Sequence, residues 1–222
     1  LVILLFAATL VLSYLLGSIP TAVIVGKILG VDVRDHGSGN PGATNLARLS
    51  GRRSWGALVL AIDALKGFLP AFFGYELITI LGPALFGWTE WTVRPLLGAI
   101  AILGLIFSIF LKGRGGKGVA TSLGVALALS PLIGLACFVI WAVMAELTRR
   151  ISISSLLAGI AFPALINLQG DVHPAVIYFA WILPMFLTFT HRENLVRFFQ
   201  GTEPAIAEEK LVTHLFTSRK QR

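Results

Sequence analysis

The sequence predicts an all-α integral membrane protein with seven transmembrane helices, its N-terminus outside and its C-terminus cytoplasmic. Three observations predict it. Of the 222 residues, 56% are hydrophobic and only 13% charged, about half the ~25% charge of a soluble domain, and the mean hydropathy is +0.84. Apolar runs recur at lengths near or above the ~18 residues that mark a transmembrane candidate. Finally, of the eighteen Lys and Arg, all but Lys66 and Arg94 fall in segments that alternate crossings place on one face, as the positive-inside rule requires of a cytoplasmic side.

The elements follow in order. The run Leu1 to Val25 is read as the first span and not as a signal peptide, because no basic segment precedes it. Gly26 to Ser54 is polar and cytoplasmic. Trp55 to Ile80 and Pro95 to Leu111 form the next two spans, and Lys112 to Gly118 returns to the cytoplasmic side. The stretch from Gly118 to Thr148 is too long for one upright span of ~20 residues. Ser130-Pro131 divides it, since proline removes a helical hydrogen bond and forces the preceding residue out of the helical region. Two short central helices result, Val119–Leu129 and Pro131–Leu147. The first rises only about 16 Å against a ~30 Å hydrocarbon core. One helix there instead of two would move Arg149 and Arg150 to the opposite side and weaken the charge bias. Ile151 to Leu168 and Pro174 to Thr190 complete the set. Residues 1–200 then form a single polytopic domain, and 201–222 a cytoplasmic tail.

Composition excludes several functions. The basic balance is mostly a topology signal, and no continuous basic face with interleaved aromatics suits nucleic acid. The one cysteine, Cys137, has no internal partner. His36, His173, His191 and His214 form no metal cluster, and nothing calls for a cofactor or an obligate protein partner. No internal repeat is evident between GRGGKG and GSGNPG, so an inverted-repeat transporter is not indicated.

The chemically rich segments all fall on the cytoplasmic face. GSGNPGATNLAR, Gly37 to Arg48, supplies glycines that let the backbone approach a ligand and small turns whose N–H groups form anion nests. Thr44 or Asn45 is placed to cap a short helix carrying Arg48, and Ser38 and Asn40 add polar groups. A flexible connector is the competing reading. KGRGGKGVAT, Lys112 to Thr121, contains G-x-G-x-x-G at Gly113, Gly115 and Gly118. It is not a dinucleotide fingerprint, because membrane helices flank it, nor a Walker A loop, because Gly118 follows Lys117. A glycine loop with Arg114, Gly116 and Lys117 that feeds a helix N-terminus is still an anion site. In RRISISS, Arg149 and Arg150 read as membrane anchors, and Ser152 or Ser154 caps the next helix or donates to phosphate. In HRENLVRFFQGTE, His191 and Asn194 are three apart and share a helix face. Within the second span, Asp63 and Lys66 can pair; intramembrane charges are functional candidates by default, and a structural ion pair is the alternative.

Two glycine nests, several cations, amides, hydroxyls and one histidine at a membrane edge suit a ligand with phosphate groups and an apolar tail. No G-x-S-x-G elbow occurs, and no histidine has an aspartate five residues later. The combination of GSGNPGATN, KGRGGKGVAT, RRIS-S and HRxN with a following GxE resembles the bacterial acyl-phosphate:glycerol-3-phosphate acyltransferases, the PlsY family, over the whole chain in motif order and length. The tail after Gly201 is longer than a minimal member's. The resemblance implies a multi-pass enzyme of the bacterial inner membrane with its site on the cytoplasmic side. Acyl phosphate and glycerol 3-phosphate would be its substrates, and lysophosphatidic acid and phosphate its products. The loop around Lys117 is then expected to hold the acyl phosphate. Ser38, Asn45, Arg48, His191 and Asn194 would bind and orient glycerol 3-phosphate, with His191 either a general base or a phosphate ligand. The acyl chain would enter between helices from the membrane lipid. The rival readings are a transporter for a phosphorylated solute and a lipid-binding assembly subunit without chemistry.

Overall fold

The computed structural model describes residues 2–81 and 87–204. Most of the expected tail 201–222, His214 included, lies outside the described residues. Ten α-helices are found among them, and no strand: α1 (Val2–Ser18), α2 (Thr21–Ile28), α3 (Ala43–Ser50), α4 (Arg53–Leu81), α5 (Glu90–Ile106), α6 (Val119–Leu129), α7 (Pro131–Thr148), α8 (Ile151–Leu168), α9 (Pro174–Thr190) and α10 (Arg192–Phe199). A 3-10 turn, Ile109–Leu111, sits between α5 and α6.

Five helical stretches are long and apolar enough to cross a bilayer, or six when α9 and α10, bent by 61° at His191, count as one. The short α6 has the bounds its sequence predicts, and Pro131 opens α7 as its first residue, where a missing N–H costs nothing. Two apolar runs differ from expectation in detail. The first run is one candidate span, Val2–Ile28, broken at Pro20 between α1 and α2. The run Pro95 to Leu111 is shifted, with α5 starting five residues earlier, at Glu90, and ending at Ile106. There the Phe107 amide closes the last turn, bonding to Leu103 O.

Small residues let the helices touch. A Cβ on Gly124 of α6 would lie 1.8 Å from the Ala64 carbonyl oxygen of α4, and one on Gly17 of α1 would lie 2.0 Å from that of Ala101 in α5. Such backbone approach replaces the hydrophobic drive that is missing between helices in lipid. The main apolar core gathers Ile102, Val125, Ala126, Cys137, Phe162, Phe179 and Leu183 from α5 to α9. At the break around Pro20 the Ile19 carbonyl accepts from Thr21 N at 3.0 Å, and Lys66 of α4 donates to the same oxygen. Lys66 also pairs with Asp63 at 2.6 Å, and Asp63 accepts from Thr21 Oγ1 at 2.9 Å. This network pins the α1–α2 break to α4.

Candidate active site

Three helices begin at one place. α3, α6 and α8 start behind Gly42, Gly118 and Arg150, and in none of them does a side chain cap the first turn. The expected caps are therefore not made. Thr44 and Asn45 lie inside the first turn of α3. Ser152 lies inside α8, and Ser154 bonds back to Arg150 O at 2.9 Å. A first turn presents N–H groups without internal acceptors and a partial positive charge. Ala43 and Thr44, Val119 and Ala120, and Ile151 and Ser152 all line one cavity of about 580 Å³. Arg48, Lys117 and Arg197 bring full charges to the same wall, and Asp63 and Glu203 bring carboxylates. Asp63 is already paired with Lys66, so three cations face one remaining acid.

The 37–48 loop is held by Asn45. Its Oδ1 accepts from Ser38 N at 3.0 Å, and its Nδ2 donates to Val33 O at 2.8 Å and His36 O at 3.1 Å. Gly37 has φ +63°, and a Cβ there would lie 2.3 Å from Asn45 Oδ1, so the turn and its clamp require glycine. Asn45 is buried and its amide is committed to the loop; it positions Ser38, Asn40 and Arg48 instead of reaching for a ligand. Arg48 has no ion-pair partner among the described residues.

The Lys112–Gly118 loop departs from its expected nest. Its amides turn inward: Gly113 N bonds Ser108 O at 2.8 Å, Arg114 N bonds Leu111 O at 3.1 Å, Gly115 N bonds Ile106 O at 3.0 Å and Gly116 N bonds Leu105 O at 3.1 Å. A Cβ on Gly115 would lie 1.8 Å from Leu105 O. These glycines seat the loop against the end of α5. Gly113, Arg114 and Gly115 do not line the cavity, whereas Gly116, Lys117 and Gly118 do. What faces the cavity from this segment is the start of α6 with Lys117, and not the loop's amides.

Lys117 is set by α9 and α10. Thr190 Oγ1 donates to its carbonyl at 3.0 Å, and its Nζ donates to Asn194 Oδ1. Asn194 Nδ2 donates in turn to Glu203 Oε1 at 2.7 Å, which also accepts from Ser152 Oγ at 2.8 Å, while Arg197 Nε bonds Glu203 Oε2 at 2.9 Å. Burial pushes the Lys117 ammonium down to about 8; Glu203 opposes this and Arg197 adds to it. Burial alone would raise the Glu203 carboxyl, but the bonds from Asn194, Ser152 and Arg197 outweigh it and hold the group below its ordinary range.

His191 is 2% exposed, at the bend between α9 and α10. Its Nδ1 lies 2.8 Å from Leu187 O. A carbonyl only accepts, so Nδ1 carries the proton and Nε2 is left as an acceptor. Burial first, then the Lys117 charge, push the imidazole down to about 4, so it is neutral at pH 7.

A narrow apolar groove continues from the cavity between α6, α7, α8 and α9. The two share Leu60, Val119, Ala120 and Trp141. Trp141 Nε1 donates to Ser155 Oγ at 3.2 Å, which satisfies the indole at the groove mouth.

The structure therefore gathers Ser38, Asn40, Thr44, Asn45, Arg48, Asp63, Gly116, Lys117, Gly118, Ser152, His191 and Asn194 on one cavity. Lys66, Gly113, Arg114 and Gly115 fall outside it. Glu203 and Thr190 were not among the expected site residues. Glu203 is the acid of the GxE on which the family resemblance partly rests, but that motif gives it no role, and no local spacing links it to Ser152.

The family model for glycerol-3-phosphate acyltransferase matches residues 7–201. A glycerol-3-phosphate acyltransferase of Bordetella petrii is 40% identical, covering 94% of this chain and 96% of its own. That of Bacillus subtilis is 37% identical, covering 91% and 98%. Among solved structures, a crystal structure of PlsY (YgiH), an integral membrane glycerol 3-phosphate acyltransferase, in its glycerol 3-phosphate form superposes with a TM-score of 0.79 at 34% identity, covering 90% of this chain and 94% of that one. Its lysophosphatidic acid form gives 0.79 at 33%, covering 92% and 97%.

Proposed function

The chain belongs to the glycerol-3-phosphate acyltransferase family, and from that premise we propose that it moves a fatty acyl group from acyl phosphate to the sn-1 hydroxyl of glycerol 3-phosphate. The products are lysophosphatidic acid and inorganic phosphate. One observation carries the reading: three uncapped helix N-termini and three cations surround a single cavity that runs on into an apolar groove. Such a wall suits two phosphates, and the groove suits the tail of one of them.

Acyl phosphate is a mixed anhydride with a good leaving group, so the site needs mainly to neutralise charge and align the reactants. The start of α6 and Lys117 hold the donor phosphate. The start of α3, with Ser38, Asn40, Thr44 and Arg48, holds glycerol 3-phosphate. His191 Nε2 accepts from the sn-1 hydroxyl and aims its oxygen at the acyl carbon. As the hydroxyl oxygen bonds to that carbon and the carbon–oxygen bond to phosphate breaks, the proton leaves its hydrogen bond to Nε2 for the departing phosphate. Burial and the Lys117 charge push the His191 imidazole below its ordinary value, which favours an orienting role over a basic one. Asn45, Asn194, Ser152 and Glu203 act through the groups they hold.

The chain crosses the membrane seven times in this reading, with the cavity on the cytoplasmic side of the bacterial inner membrane. The test uses detergent-purified protein with glycerol 3-phosphate and either palmitoyl phosphate or palmitoyl-CoA. Lysophosphatidic acid is expected from the phosphate donor alone. Product from the CoA donor instead would overturn the donor assignment, and no product from either would put a phosphorylated-solute transporter ahead.

A further inference from the structure

The groove's lining ends on α8 at Phe162. Its lining on α8 is Ser155, Ala158, Gly159 and Phe162, a stripe at i, i+3, i+4 and i+7 that faces one way along the helix. The other walls agree in direction. On α6 the lining runs from Val119, at the cavity, inward to Ala126; on α7 it runs from Trp141 to Cys137, and on α9 from Leu187 to Leu183. From mouth to inner end the groove covers two turns of α8, about 10 Å at 1.5 Å per residue. Phe162 stands at that end, 2% exposed, with its ring edge-on to Phe179 at 6.4 Å. Behind it lies the packed core that includes Ile166 and Val176.

We propose that Phe162 sets the acyl-chain length this enzyme prefers. The inference rests on the acyltransferase reading above and concerns which donor that reaction takes. Its physical basis is steric. A chain that leaves the bilayer for the groove exchanges one apolar surrounding for another, so added methylenes bring little of the gain that burial from water would bring. Discrimination comes instead from chains that must push against a packed ring. Overpacking of that kind costs about 1–3 kcal/mol, and each ~1.4 kcal/mol is tenfold in kcat/KM.

The test measures kcat/KM for dodecanoyl, tetradecanoyl, hexadecanoyl and octadecanoyl phosphate with the full chain. Phe162→Ala, and the better-packed Phe162→Leu in case the first variant folds poorly, should shift the profile toward longer donors. The ratio of the longest donor to the wild-type optimum should rise about tenfold. Ala158→Leu, which narrows the groove halfway along, should shift it toward shorter ones. Variants that make product with profiles superimposed on the wild type would overturn the length assignment alone. A wild-type protein that acylates glycerol 3-phosphate with none of the four donors would overturn the reaction, and the assignment with it.

Discussion

At His191 the choice between a base and an orienting group comes down to what each substitute retains. The proton on Nδ1 is fixed by Leu187 O, so only the acceptor at Nε2 is available to a hydroxyl. Glutamine keeps an acceptor of similar reach but no useful basicity; leucine keeps neither. His191→Leu should lower kcat about 10²-fold, the lower end of what proton-handling groups contribute, while His191→Gln keeps most of the rate. Equal collapse of both would make His191 the general base. Lys117 makes a second residue-scale prediction through pH. Its ammonium is the form that binds phosphate, and burial lowers it to about 8 in the empty site. Raising the pH through about 8 therefore removes the cation from free enzyme, and kcat/KM for the acyl phosphate should fall there. Bound phosphate stabilises the charged form, so kcat should stay level to higher pH. Steady-state profiles of both parameters check this, and a kcat/KM that is flat through that range would remove Lys117 from the donor site.

Helices deliver these residues, and glycine decides how closely. Gly115 touches the end of α5 with no room for a methyl group, so Gly115→Ala must lift the loop and move Lys117 with the start of α6. Displacement by about 1 Å can cost 10²-fold in rate, and kcat/KM for the donor should fall by roughly that much. Arg114→Ala, one residue away and outside the cavity, should leave the kinetics within about twofold, the usual insensitivity of a surface charge. If Arg114 proved the more damaging, the inward-turned loop would be wrong. The same contrast shows what the sequence could and could not reveal. The α6–α7 break was legible because Pro131 acts through its own backbone, and the Asp63–Lys66 pair because i and i+3 meet on any helix. A glycine needed for contact, however, reads like one needed to expose an amide, and from sequence Gly113 to Gly116 read as the second. Asn45, Ser152 and Asn194 come together on one cavity, but their partners Val33, Glu203 and Lys117 are set by packing that no local spacing encodes.

At the scale of the whole molecule, the shortness of α6 and the depth of the cavity have one explanation. Its eleven residues rise about 16 Å, roughly half of a ~30 Å hydrocarbon core. A helix that starts at mid-depth leaves polar groups in lipid unless a wet recess reaches down to it. The cavity supplies that recess, because Lys117, Gly118 and Val119 line it. In the proposed reaction the donor phosphate would then be met partway into the membrane while its chain stays at lipid depth. In the proposed topology α6 and α7 act as two passes, which puts the α4–α5 turn and the α8–α9 turn on the same side. Cysteines at Thr89 and at Asp171, each in a Cys137→Ala background, should both react with a membrane-impermeant thiol reagent added outside intact cells. Cysteines at Arg53 and Glu146 should react only after permeabilisation. Thr89 and Asp171 labelling from opposite sides would mean a single pass between Lys117 and Arg149. That result would leave Arg149 and Arg150 outside, against the charge bias of the chain, and would carry the start of α8 away from the cavity it now helps to close.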